Sequence, residues 1–239
     1  MKVLLATDGS KCSDVAAGVL ARLPHRERME LSIVTSVTPP GAPFISPTRE
    51  FMDQIALDDR KSAERHLAAT SEFFRGANAD VQSVILDGDP RETIVNYAKS
   101  KGIDLIVIGA KGHSQVDRIL LGSTSDYVAT HATCSVLVVR PPTDDLGADH
   151  STLRVAVAYD ASKASQLAIE ELLKFDWGAH TEISVVGVAG YSPMFDTEYG
   201  FNPKSLQKEA ESALEEASCR LTQRVSHVES RLIEYDHVA

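Results

Sequence analysis

The pattern of the first 23 residues returns, in altered form, later in the chain. MKVLLATDGSKCSDVAAGVLARL at 1–23 returns as LRVAVAYDASKASQLAIEELLKF at 153–175, so that Val3 matches Val155, Asp8 matches Asp160, Ser10 matches Ser162 and Lys11 matches Lys163 at a single offset of 152. The segments that follow keep the same order. LSIVTSV (31–37) matches ISVVGVAGY (183–191), the helical stretch after Ser46 matches the one after Asn202, and VQSVILDGD (81–89) matches VESRLIEYD (228–236). Self-similarity of this kind means one fold unit used twice. The second use is incomplete, because nothing after 153 corresponds to 90–140. RPPTDDLGADHST at 140–152, rich in Pro, Asp and Gly, reads as the joint. The expected division is a first domain over 1–141, a linker over 142–152 and a partial second domain over 153–239.

Within the first copy, short β-branched runs alternate with helical patterns. Strands are expected near 2–7, 31–37, 81–86, 104–109 and 135–139, and helices near 11–23, 49–75, 90–101 and 122–132. In the longest helix Phe51, Ile55, Ala63, Leu67 and Phe74 recur close to the helical period. GDPRET reads as a helix start, with Asp89 as cap, Pro90 in the first position and Glu92 completing a capping box. VLLAT and LIVIG are apolar without alternation, as strands covered on both faces are. Alternating βα units joined by right-handed crossovers predict a parallel sheet between two helix layers. The second copy supplies three strands and two helices, which leaves RVAVAY without a neighbour on one side. An open apolar edge invites pairing, so the expectation is a swap or dimer contact there, or a chain that has been cut short.

Charge follows the same division. Residues 1–142 carry 16 Lys and Arg against 17 Asp and Glu, whereas 143–239 carry 8 against 17. The acidic second part repels phosphate backbones, which argues against nucleic acid as a partner. No apolar run approaches the ~18 residues that span a bilayer, and the N-terminal apolar run is too short for a signal peptide. Cys12, Cys134 and Cys219 are widely spaced, with no C-x-x-C. A disulfide framework or zinc site is not expected, and the default compartment is a reducing cytoplasm. The histidines show no H-x-H or H-E-x-x-H spacing. Phe51, Phe73, Phe74 and Trp177 read as packing residues.

The chemistry lies in GAKGHSQVDRILLGSTS at 109–125. It is neither a P-loop nor a G-x-G-x-x-G fingerprint. In an open parallel sheet, ligands sit beyond the carboxyl ends of the strands where the strand order reverses. ATDGS after the first strand and GAKGHS after the fourth both emerge there. Gly109 and Gly112 allow close backbone approach and positive φ. Gly122, Ser123, Thr124 and Ser125 open a helix whose free amides and hydroxyls make an anion site. Asp8 is read as a carboxylate acceptor at a buried strand end, suited to ribose hydroxyls or an adenine amino group. Lys111, His113 and Arg118 add positive charge nearby, but such side chains are ordinarily solvated and stand outside the expected site.

The pattern Gly109-x2-Gly112-x9-Gly122-Ser123, together with Asp8, resembles the ATP-binding signature of the universal stress protein family. The resemblance covers 1–140 and continues at lower fidelity over 153–235. It implies a Rossmann-like open parallel five-stranded sheet in the order 3-2-1-4-5 with helices on both faces, followed by a partial second copy. It implies bound ATP, and Mg2+ is a further expected companion of the nucleotide. By position it carries adenine and ribose contacts onto Thr7, Asp8 and Val37, and phosphate contacts onto Gly109, Gly112, Gly122, Ser123, Thr124 and Ser125. The second copy keeps Asp160 but has no glycine motif, so one site per chain is expected.

Three functions fit these residues. The first is a nucleotide-responsive signalling module. The second is a slow ATPase on the same scaffold, although no nucleophile with a base and an orienting partner is visible. The third is a nucleotide-free dimerising protein. Since the family often pairs through its last strand, here 135–139, a homodimer is expected.

Overall fold

The structure is a computed structural model, and it describes residues 1–25, 27–38, 49–112, 121–141, 153–178, 181–191 and 203–236. The expected linker at 142–152, with His113 and Arg118, lies outside the described residues. The chain forms two compact units, Met1–Leu23 with Glu27–Asp144, and Pro24–Arg26 with Asp145–Ala239.

The first unit runs β1 (Lys2–Ala6), α1 (Lys11–Arg22), β2 (Met29–Val37), α2 (Arg49–Ser71), a 3-10 turn (Glu72–Phe74), β3 (Ala79–Asp87), α3 (Pro90–Lys101), β4 (Leu105–Gly109), α4 (Ser123–His131) and β5 (Ser135–Val139). All strand pairs are parallel and the order is β3-β2-β1-β4-β5, as the family resemblance implied. β1 lies in the middle, with Val3 opposite both Leu31 and Leu105.

Periodicity explains the layers. Side chains alternate across a strand, so Leu4 and Ala6 of β1 share a face with Val34, Ile106 and Ile108. There they meet Ile94 and Ala98 of α3 and Val128 of α4. On the other face α2 lies against β2 and β3, and α1 against β4 and β5. Val3, Leu4 and Leu5 have no exposed surface. Each buried aliphatic side chain of this kind is worth about 1.5–3 kcal/mol, which makes the strand ends a rigid platform.

The helix boundaries come from local chemistry. Ser10 caps α1 by accepting the Ser13 N–H at 3.3 Å. α3 stops at Gly102, which adopts the left-handed conformation (φ 62°) and returns its N–H to Ala98. Asp89 caps α3 by accepting the Arg91 N–H at 2.9 Å, with Pro90 in the first turn. The side chain that closes on this cap is Arg91, whose guanidinium fork matches the Asp89 carboxylate at 2.7 Å, while the bond from the Asp89 N–H to Glu92 that would complete the expected box is not among the described contacts.

Phe51 and Phe73 also depart from expectation. Phe74 is buried, but Phe51 is 58% and Phe73 44% exposed. The helical period was read correctly. However, the described N-terminal turns of α2 contribute no buried residue before Ala63, which leaves Phe51 exposed, and Phe73 lies in the 3-10 turn, where its neighbour Phe74 is the side chain that turns inward.

The second unit runs β6 (Leu153–Ala158), α5 (Lys163–Leu172), β7 (Thr181–Tyr191), α6 (Pro203–Thr222) and β8 (His227–Asp236), with a parallel sheet in the order β6-β7-β8. Its core is Ile169, Leu214 and Leu221 against Val157, Ile183 and Val185, closed by Trp177, whose indole N–H donates to the Leu172 carbonyl at 2.6 Å. Among the described residues, no helix in either unit is long and apolar enough to cross a membrane.

Candidate functional site

β1 and β4 are neighbours whose connections leave toward opposite helix layers, so a cleft opens beyond their carboxyl ends. A cavity of about 250 Å³ lies there, and Thr7, Asp8, Gly109, Gly112, Gly122, Ser123, Thr124 and Ser125 all line it. Residues far apart in sequence therefore converge as expected. Val37 does not line it; Val34, Thr35 and Ser36 of the same strand do. The Val37 carbonyl instead accepts the Gly88 N–H at 2.9 Å, because β2 runs on past the cavity and pairs with β3 up to its last residue.

The two glycines act differently from the expectation of positive φ, since neither Gly109 nor Gly112 has it. Their role is close approach. A β-carbon at position 112 would lie 2.5 Å from Asp8 Oδ2, and one at position 109 would lie 2.9 Å from the Cys12 carbonyl carbon. Gly112 thus lets the carboxylate rest on backbone, whereas Gly109 lets α1 seat on β4. Gly122 differs again. A β-carbon there would meet only ordinary contacts from 3.5 Å outward, so the fold does not demand glycine.

At the mouth of α4, Gly122 is the N-cap residue and no side chain caps the helix. Its own N–H donates to the Ala110 carbonyl at 2.7 Å, and the first intrahelical bond runs from Asp126 N–H to the Gly122 carbonyl. The amides of Ser123, Thr124 and Ser125 are left without intrahelical acceptors. Ser125 is buried and its hydroxyl donates to the Ala110 carbonyl at 2.8 Å. It therefore pins the helix start to the end of β4 and does not present its hydroxyl to the cavity.

Asp8 is exposed, not buried at a strand end as expected. Its Oδ1 accepts the Ser10 N–H at 3.0 Å, which fixes the carboxylate over the cleft. Thr7 is buried, and its hydroxyl donates to Ser13 Oγ at 3.1 Å. Gly9, at φ 74°, packs so tightly under the His66 ring that a β-carbon would fall 2.7 Å from Nδ1. Lys111, half-buried, brings a cation to the lining.

Sequence reasoning missed the apolar end of the cavity, formed by Ala6, Val34, Pro90, Ile94 and Ile108 with Ser36 at its rim. The signal was available, because even-numbered residues at the ends of the first and second strands share a face with the start of the third helix. Among the described residues, no group of three or more His, Cys, Asp or Glu side chains is placed to hold a metal ion.

A doubly wound α/β unit with a cleft at its switch point and an uncapped helix mouth turned into it belongs to the class of Rossmann-like small-ligand folds. The chain belongs to the universal stress protein family, whose sequence profile matches residues 1–140. It is 32% identical over 147 residues to universal stress protein YxiE of Bacillus subtilis, covering 58% of this chain and 98% of that one. Universal stress protein UspA from Lactobacillus plantarum is 28% identical, with a TM-score of 0.51 over 59% of this chain and 97% of its own. A universal stress protein from Archaeoglobus fulgidus covers 96% of this chain and 77% of its own at a TM-score of 0.61, and its 22% identity makes this a likeness of fold across both units. Relatives bind nucleotides: one solved universal stress protein is in complex with cAMP, and a family member from Arabidopsis thaliana has AMP bound.

Proposed function

We propose that the first unit binds ATP, with Mg2+ on its phosphates, and that occupancy serves as a signal in a stress response. The observation that carries this reading is the convergence, in one cleft, of an uncapped helix mouth with an apolar end lined by Ala6, Val34, Pro90, Ile94 and Ile108. Free amides at Ser123 and Thr124, beside the Gly122 backbone and Lys111, suit phosphate, and the helix dipole adds to the attraction. Gly112 gives phosphate a close path to backbone. Asp8 accepts from ribose hydroxyls. Thr7, Gly109 and Ser125 hold the walls, and Val37 stands outside the contact set. At about 250 Å³ the cavity suits a nucleoside, with the phosphates lying along the mouth of α4. Mg2+ in such complexes is held largely by phosphates and water.

Two measurements test this. Mass spectrometry of small molecules released from the purified protein by denaturation should detect ATP or ADP. A thermal scan with millimolar Mg-ATP should raise the transition of the first unit, since a ligand that binds only the folded state stabilises it. An unmoved transition together with an empty mass spectrum defeats the reading. The same proposal includes a homodimer through β5, an edge strand with half-buried side chains from Ser135 to Val138, in a cytoplasmic protein. Light scattering that finds a monomer at micromolar concentration removes that part.

A further inference from the structure

The turn that carries Asp8 is held both by its own hydrogen bonds and by a side chain from another element. Within the segment, the Ser10 N–H donates to Asp8 Oδ1 at 3.0 Å and the Gly9 N–H to Thr7 Oγ1 at 3.3 Å. From α2 comes His66. A β-carbon at position 9 would lie 2.7 Å from Nδ1, 2.8 Å from Cε1 and 2.9 Å from Cγ of its ring. These three atoms are consecutive around the imidazole, and their near-equal distances mean that Gly9 meets the flat of the ring and not its edge. The helix fixes where that ring stands, because Ala63, Leu67 and Thr70 on the same face are buried. The Thr70 hydroxyl also donates to the His66 carbonyl at 2.9 Å. Among the described residues neither ring nitrogen has a hydrogen-bond partner, so the ring acts by contact.

The second copy has a different pair of side chains here. Matching the buried positions Ala63, Leu67, Thr70 and Phe74 with Leu214, Ser218, Leu221 and Val225 puts Ala217 in the place of His66. Position 9 is matched by Ala161, at φ 60°. A glycine under a ring in the copy with the cleft thus corresponds to two methyl groups in the other.

We propose that His66 is a positioning residue for the first unit's site. Its ring backs the left-handed turn at Gly9 and thereby sets where the Asp8 carboxylate stands over the cleft. This rests on the nucleotide reading above, in which Asp8 accepts from ribose hydroxyls. Asp8 is exposed, so burial of its own side chain does not hold it, and its place follows from the turn. A hydrogen bond weakens steeply as distance and angle drift, and a group held in advance need not be ordered on binding.

Calorimetric titration of the full chain with ATP and with 2′,3′-dideoxyadenosine 5′-triphosphate, which lacks the ribose hydroxyls, tests the assignment. His66→Ala should weaken ATP about fivefold, the loss of roughly one hydrogen bond, and leave the dideoxy analogue little changed. Added to Asp8→Ala, it should cause no further loss of ATP affinity, because the two residues act through one contact. His66→Phe, which keeps a flat ring without the nitrogens, should recover most of the affinity lost in His66→Ala. Unchanged ATP binding in His66→Ala overturns the inference. So does an equal loss for both ligands, or a loss that adds to that of Asp8→Ala, since the ring then only braces the fold. A loss in His66→Phe as large as in His66→Ala overturns it too. Equal affinities for ATP and the analogue in the unaltered protein remove the Asp8 contact, and the inference with it, while leaving the nucleotide site standing. Failure of both ligands to bind removes the nucleotide reading itself. Should His66→Ala not fold, His66→Leu, which fills space without a flat face, is read in the same way.

Discussion

Leu4 and Ala156 stand at the same place in two copies of one unit, and they face different surroundings. Leu4 is fully buried under α3 and α4, in a layer that continues through Ala6 and Val34. Its counterpart Ala156 is exposed, as is Ala158 in place of Ala6. Strand register extends the comparison to the edge. Val84 and Gln82 of β3 pair with Val34 and Ser32, and the residues that pair with the matching Val186 and Ser184 are Arg231 and Glu229. The bare face is stitched by polar contacts, Arg154 to Glu182 at 3.4 Å, Ser184 to Glu229 at 2.7 Å and Arg231 to Glu229 at 3.5 Å. Small and charged side chains have replaced the aliphatic ones where no α3 or α4 equivalent covers the described sheet. Both copies keep the half of the fold that α1 and α2, or α5 and α6, cover. Only the first, among the described residues, keeps the half that builds the cleft.

The largest expected contrast is in ligand stoichiometry. Calorimetry with Mg-ATP should give one site per chain, with Asp8→Ala weakening binding at least tenfold and Asp160→Ala leaving it unchanged. A stoichiometry of two, or equal sensitivity to both changes, breaks the comparison.

A second contrast lies in the turn that follows the first strand of each copy. Gly9 and Ala161 both hold positive φ, at 74° and 60°. Asp8 and Asp160 close the same turn, each accepting the N–H two residues on at 3.0 Å. Left-handed backbone costs an L-residue roughly 1–2 kcal/mol, and at position 9 a methyl group also meets the His66 ring. Gly9→Ala should therefore destabilise the first unit by about 2 kcal/mol in urea unfolding, with part of the loss recovered when His66→Ala is added. Ala161→Gly should stabilise the second unit by roughly 0.5 kcal/mol, the strain relieved less the added freedom of the unfolded chain.

Ser218 sharpens the account of the second core. Its hydroxyl is buried and, among the described residues, has no hydrogen-bond partner. Ser218→Ala should raise stability by about 1 kcal/mol in the same assay, since it removes an unsatisfied polar atom.

The smallest effect is electrostatic and belongs to the half that the second copy lacks. The Arg91 side chain, hydrogen-bonded to Asp89, holds that carboxyl down from 3.8 to about 2. A depressed acid contributes stability above its unfolded value and loses it as pH falls through the folded value. The Asp89 contribution should therefore be complete at neutral pH and fade between about 4 and 2. The pair is fully exposed, so a carboxyl titration followed by NMR is the suitable readout. The midpoint should move up in Arg91→Ala.

Much of this was legible in the residues. The repeat and its early stop announced a complete sheet and a partial one. Uninterrupted apolar runs marked strands covered on both faces, and the cap at Asp89 marked a helix start, because these signals depend on neighbours within a few positions. The sites of Thr7, Asp8, Gly109, Gly112 and Gly122–Ser125 could be placed in one cleft because parallel topology forces strand ends together.

Tertiary structure alone decided what each of these residues does there. Gly109 serves helix packing and Gly112 a carboxylate, a difference set by which atoms stand within 3 Å of each. Ser125 turned inward to Ala110, Val37 was carried past the cavity, and Phe51 was left uncovered, each for want or presence of a partner far away in sequence. Pattern fixes which face a side chain occupies. What it touches depends on distances between elements that no single segment encodes.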